Sequence, residues 1–166
     1  ATTDERSITN LPPLLSNYLK KVLIKIPSGS FVIFTQTGDF RMKPDDKMSS
    51  FSAKQHVLLT SPMFSWVANI SLNGFNVSVC DRLINNEGEL QARLFSAIAV
   101  AKGSGSKFLR GELLRYLAEL PWYPMAILLQ PKIEWKQISQ DKVTGTLSVG
   151  KITATVEYKF DNNGLI

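Results

Sequence analysis

The chain predicts an α+β fold: a curved, meandering antiparallel sheet of about eight strands, half-barrel-like, with an N-terminal helix and one inserted helix covering the sheet. Three observations predict it. Two stretches repeat apolar residues at helical spacing, and about eight others alternate apolar and polar residues with period two. The turn signals between strands are short, and short turns join antiparallel neighbours, whereas parallel pairs need long crossovers. The alternation is one-sided, so one face of the sheet is buried and the other is wet. Eight twisted strands tend to curl, and the inserted helix is the natural cover for the concave side.

Each element has its own warrant. Leu11, Leu15, Tyr18, Leu19 and Val22 recur at helical spacing within 11–25. Thr9 or Asn10 stands where an N-cap would, proline is tolerated in the first turn, and Pro27-Ser28-Gly29 stops the helix. The segment 31–42 opens the strands. In 51–59, Phe51, Ala53, Gln55 and Val57 share one face, and Ser52, Lys54 and His56 share the other. Phe64, Trp66, Ala68 and Ile70 share a face in 63–70, as do Phe75, Val77, Val79 and Asp81 in 75–81. Asn73-Gly74 between them is the strongest hairpin signal, because both central positions of a type I′ turn take positive φ. Asn85-Asn86-Glu87-Gly88 turns the chain into 89–100, which alternates as a single strand through Leu90, Ala92, Leu94, Ile98 and Val100. "KGSGSK", 102–107, reads as a loop whose Ser104 or Ser106 caps a helix over 105–120. Leu109, Leu113, Leu117 and Leu120 form one side of that helix. Strands at 133–138, 143–149 and 152–160 close the chain, which reads as a single domain over 1–166.

Composition narrows the chemistry. At 44% hydrophobic and 20% charged residues, 166 residues suffice for one domain with a real core. The net charge is +5, but the lysines and arginines are scattered, without the stripe of a nucleic-acid binder, so no nucleic-acid partner is expected. A basic surface does suit an anionic membrane face, although a solvated surface explains the same charge. No run approaches the ~18 apolar residues of a spanning helix. Cys80 is the one cysteine and His56 the one histidine, both on polar strand faces. That excludes an internal disulfide and a cysteine-based metal site, and no metal or cofactor is expected. The composition leaves the oligomeric state open.

"GELLRYLAELPWYP", 111–124, carries the densest set of candidates. At 100° per residue, Leu113, Tyr116, Leu117 and Leu120 form the apolar arc, and Glu112, Arg115 and Glu119 form a stripe bordering it. Glu112–Arg115 and Arg115–Glu119 are also ordinary i,i+3 and i,i+4 surface pairs, worth ~0.2–0.5 kcal/mol each. The helix runs into Pro121-Trp122-Tyr123-Pro124, which fixes two aromatics beside its last turn. On the strands, Gln55 and Asp81 fall on apolar faces. A buried amide or carboxylate costs several kcal/mol unless satisfied, so each implies a partner, with Arg115 a candidate for either. Arg41, after the bend at Gly38, is a further candidate cation. Trp66, Trp122 and Trp135 suit either core packing or a cavity wall. The "KGSGSK" stretch matches neither a phosphate-binding loop nor a dinucleotide fingerprint.

The order of "LPP…YL", "QTGDFR", "FSAKQ", "FSWVA", Asp81 before a Gly-containing turn, "GELLRYLAELPWYP" and "IEW" resembles an uncharacterised bacterial family, a domain of unknown function, over most of the chain. Its most specific part is G-E-L-x-R-Y-L-x-E-x-x-W-x-P. The resemblance implies no activity. It implies recurrent polar positions at Arg41, Gln55, Asp81, Glu112, Arg115 and Glu119. It also implies relatives with further C-terminal strands and a hydrophobic N-terminal segment, hence an extracytoplasmic or membrane-attached setting. A curved antiparallel sheet capped by a helix is similar in outline to the half-barrel lipoprotein carriers of the periplasm, an analogy of fold alone.

The expected function is therefore a binding module. A lipid or other hydrophobic ligand would lie between sheet and inserted helix, against Trp66, Tyr116 and Trp122, with Arg115 on an acidic head group. The alternatives are an enzyme using Glu112, Glu119 or Asp81 as acid/base with Arg115 as electrostatic stabiliser, and an interaction domain in which these groups form a buried ion pair.

Overall fold

The computed structural model describes residues 8–23, 29–41, 43–72, 74–94 and 98–166. The fold class is α+β with antiparallel sheets. Among the described residues the strands divide into a six-stranded and a three-stranded sheet, where one sheet of about eight strands was expected. The chain forms two compact units. One holds Phe31–Leu58 and Pro62–Glu112; the other holds the residues before Phe31 together with Leu59–Ser61 and Leu113–Ile166.

The first of these units is a meander of β1 (Phe31–Phe40), β2 (Ser49–Leu58), β3 (Met63–Leu72), β4 (Phe75–Ile84), β5 (Glu87–Leu94) and β6 (Ile98–Ser104), each paired with its neighbour in sequence. Leu72 pairs with Phe75, so β3 and β4 form the expected two-residue hairpin. Gly74 takes φ +83°, while Asn73 lies outside the described residues. The next hairpin is built on asparagine: Ile84 pairs with Glu87, and Asn85 and Asn86 have φ 52° and 67°. Two positive φ values are the type I′ requirement, and asparagine tolerates them better than other non-glycine residues.

The stretch 89–100 is two strands, not one. β5 and β6 pair antiparallel, with a register shift at Ala92/Arg93, and residues 95–97 between them lie outside the described set. Phe95-Ser96-Ala97 contains no Gly, Pro or Asn, and the alternation runs through it, so no turn signal marks the break. Lys102, Gly103 and Ser104 end β6 and are strand rather than loop.

Register sorts the six strands into two faces. The inner face carries Val32, Val57, Phe64 and Leu83 in one row, then Phe34, Gln55, Trp66, Asp81 and Leu90, then Gln36, Ala53, Ala68, Val79 and Ala92. The outer face carries Ser52, Lys54 and His56 as expected, all exposed, with Cys80 half-buried. The first half of α2 (Ser106–Ala118) packs against β5 and β6, because two glycines admit it. A Cβ on Gly88 would stand 2.6 Å from the Leu109 backbone, and one on Gly103 would collide with the Phe108 ring. Neither predicted serine caps this helix. The Gly105 carbonyl accepts the Leu109 N–H at 2.9 Å, which puts Gly105 at the cap and Ser106 inside the first turn.

The other unit contains β7 (Glu134–Gln137), β8 (Lys142–Val149) and β9 (Ile152–Lys159). β9 alternates as expected: Ala154 and Tyr158 are buried, while Thr153, Thr155, Glu157 and Lys159 are exposed. Helix α1 (Pro13–Val22) lies against this sheet through Leu15 and Leu19, both fully buried, and an edge-on contact of Tyr18 with Phe160. Its N-cap is Pro12, with no side-chain capping bond, rather than Thr9 or Asn10. After α2 come a 3₁₀ turn at Leu120–Trp122 and a short α3 (Met125–Leu129). Among the described residues, no helix is long and apolar enough to cross a membrane.

Candidate functional site

The six-stranded unit places polar groups in the middle of its apolar face. Gln55 is fully buried, as its apolar neighbours at i±2 predict, and lies opposite Trp66, which lies opposite Asp81. Trp66 Nε1–H donates to Gln36 Oε1 at 2.7 Å, and Gln36 Nε2–H donates to Gln55 Oε1 at 3.2 Å. A donor-only indole thus meets an amide that accepts on one side and donates on the other. Ala53 and Ala68 floor this chain, and Phe40, Phe51 and Trp66 run over the floor, with ring centroids 6.0 Å and 6.2 Å apart. Gln36 is the residue that sequence reasoning missed. The available signal is parity: it follows Val32 and Phe34 on the half-buried face of β1.

Two carboxylates sink into the same unit. Asp81 is 9% exposed and Glu112, on the first half of α2, is 7% exposed. Asp81 lies within β4, which runs on to Ile84, rather than at a strand end. Arg41 is not part of this arrangement. It is exposed, and its Nη1–H donates to the Pro44 carbonyl at 2.9 Å.

The other unit contains the rest of the stripe. Arg115 Nε–H donates to Glu119 Oε1 at 2.8 Å, with 26% and 11% of the two side chains exposed, so Glu119 is a carboxylate partner of Arg115. Tyr116 is fully buried. Trp122 is 58% exposed, against the expectation that it lines a cavity, and the inward aromatic is its neighbour Tyr123. The 3₁₀ turn that Pro121 opens rotates Tyr123 back under the helix, where its hydroxyl donates to the Tyr116 carbonyl at 3.0 Å. The Tyr158 hydroxyl donates to the Leu117 carbonyl at 2.6 Å. These are two of the four carbonyls that a helix end leaves without intrahelical partners. Burial pushes the Tyr116 phenol up to about 12, with the Gln130 side chain opposing. It raises Tyr123 and Tyr158 as well, Tyr123 with added repulsion from Glu119.

The family of unknown function DUF6544 matches residues 1–166. The chain belongs to the DUF6544 family. No curated protein matches this DUF6544 member, and no solved structure matches it. Among the described residues, no group of three or more His, Cys, Asp or Glu is placed to hold a metal ion.

Proposed function

We propose that this DUF6544 member is a binding module for a small, largely apolar ligand carrying one hydrogen-bonding group. The ligand lies on the inner face of the six-stranded sheet beside the first half of α2. The carrying observation is the Trp66–Gln36–Gln55 chain above an alanine floor. A core built for packing alone has no use for two amides there, since each costs free energy to desolvate. Gln36 holds a second amide hydrogen beyond the one given to Gln55, and Phe40, Phe51 and Val79 supply half-buried apolar contact next to it. Lipid-like amphiphiles fit that description, with Gln36 rather than Arg115 as the polar contact.

The test combines native mass spectrometry of protein purified without detergent with Trp66 fluorescence in a Trp122→Phe/Trp135→Phe background. A co-purified species and a saturable emission change with dodecanoate, lost in Gln36→Leu, are expected. No co-purified species and no saturable change would overturn the reading.

A second reading rests on Asp81 and Glu112, which are buried carboxylates in the same unit. An enzyme would use these two for proton transfer, since Glu119 is engaged by Arg115. Turnover of a panel of simple esters and amides, abolished by Asp81→Asn or Glu112→Gln without loss of fold, would favour it over the binding module.

A further inference from the structure

We propose that the outer face of the six-stranded sheet docks on an anionic lipid surface, with its end at Phe31, Met63 and Ile84 entering the headgroup layer. The register makes most of that end apolar: Phe31, Leu58 and Met63 are successive cross-strand partners in one row, Ile84 follows Leu83 at the end of β4, and the exposed Glu87 that pairs with Ile84 is the one acid there among the described residues. Phe31, Leu58, Met63 and Ile84 line an open, almost wholly apolar groove of about 390 Å³, with His56 and Ser65. Phe31 is 62% exposed, and Ile33 beside it 45%. Exposed apolar side chains gathered at one end of a sheet mark an interaction surface.

The rest of the face supplies the charge. Four residues along β2 from Leu58, ~13 Å at strand rise, the outer row reads Thr35, Lys54, Val67, Cys80, Gln91 and Lys102. The next outer row reads Thr37, Ser52, Asn69, Ser78 and Arg93. Neither row contains an acid. Glu89, in the row nearer the groove, is held by Arg82 at 2.6 Å, with Lys102 close enough to help keep its carboxyl low. Asp39 and Glu87 lie at the two ends of the face. Lys54, Arg93 and Lys102 are exposed, and among the described residues none of the three forms an ion pair. A wet sheet face that is basic in the middle and apolar at one end complements a layer of anionic headgroups over hydrocarbon. The apolar end and the exposed Val67 among the cations favour lipid over an acidic polymer, which offers apolar side chains no partner.

The experiment is vesicle co-sedimentation of the whole chain. Phosphatidylcholine and phosphatidylglycerol in equal parts are compared with phosphatidylcholine alone, at low and at high salt. Binding to the anionic vesicles that weakens with salt is expected. Each charge removed from the face should weaken it about five-fold. Lys54→Glu/Arg93→Glu/Lys102→Glu should abolish binding, and Phe31→Ser, an exposed site that the fold tolerates, should weaken it. Lys132→Glu/Lys136→Glu/Lys151→Glu changes the net charge equally at exposed sites of the other unit and should retain binding. Three outcomes would overturn the proposal: no binding to anionic vesicles, equal loss in both triple variants, or undiminished binding by Phe31→Ser together with comparable binding to polyglutamate or DNA.

Discussion

The hydroxyl of Tyr123 donates to the main-chain carbonyl of Tyr116, 3.0 Å away and seven residues back, so the segment that breaks the helix also closes its end. Tyr158, from β9, does the same for Leu117 at 2.6 Å. Both bonds are buried. Tyr123→Phe and Tyr158→Phe are each expected to lower stability by about 1–3 kcal/mol, the cost of leaving a buried carbonyl unsatisfied. Urea denaturation with an unchanged slope checks this.

The tyrosines also set an alkaline limit. Their pKa values are raised in the folded state, so below the ordinary value of 10.0 both folded and unfolded chains hold the protons and stability is flat. Above it the unfolded chain releases protons that the folded chain keeps, and stability falls with rising pH. Tyr116 contributes to that fall until about pH 12. Urea midpoints measured from pH 8 upward should decline from about pH 10, and Tyr116→Phe should make the decline shallower.

Gln36 is expected to matter more than a strand glutamine ordinarily does. Gln36→Leu leaves the Trp66 indole without the Gln36 acceptor and Gln55 without one donor. A loss of about 1–3 kcal/mol is expected. Combined with Trp66→Phe, the double variant should fall short of the sum by about 0.5–3 kcal/mol, the signature of one network.

Gly88 and Gly103 should respond differently to alanine. At Gly88 the new methyl meets the Leu109 backbone, so the helix itself must move, and a loss of about 1–3 kcal/mol is expected. At Gly103 it meets the Phe108 ring, which can swing away, so the loss should be smaller. Thermal unfolding of the two variants side by side decides the order.

Arg115→Met tests the stripe. The pair with Glu119 is neither exposed nor fully buried. The expected loss is roughly 1–2 kcal/mol, between the values for surface and buried pairs. Chemical denaturation of Arg115→Met alone and with Glu119→Gln separates the pair from the rest.

The strand facing was legible wherever apolar residues flank a polar one at i±2, as at Gln55 between Ala53 and Val57. The helical arc of Leu113, Tyr116, Leu117 and Leu120 was legible from its i, i+3, i+4, i+7 spacing, and all four are fully buried. The break between β5 and β6 was not, because its residues carry no turn chemistry. Gln36 escaped because its role depends on Trp66, thirty residues later and two strands away, which only the register brings near. The inward placing of Trp122 failed because one 3₁₀ turn decides which of two adjacent aromatics faces inward, and here it is Tyr123.

The meander of β1–β6 bears on how the chain leaves the ribosome. Every pairing in it joins consecutive strands, and the helix half that packs on β5 and β6 follows β6 directly in sequence. Each hairpin can form as soon as its second strand emerges, with no wait for a distant partner, and loop-closure entropy stays small at every step. During synthesis the newest strand alone presents an unpaired growing edge, and the next one covers it.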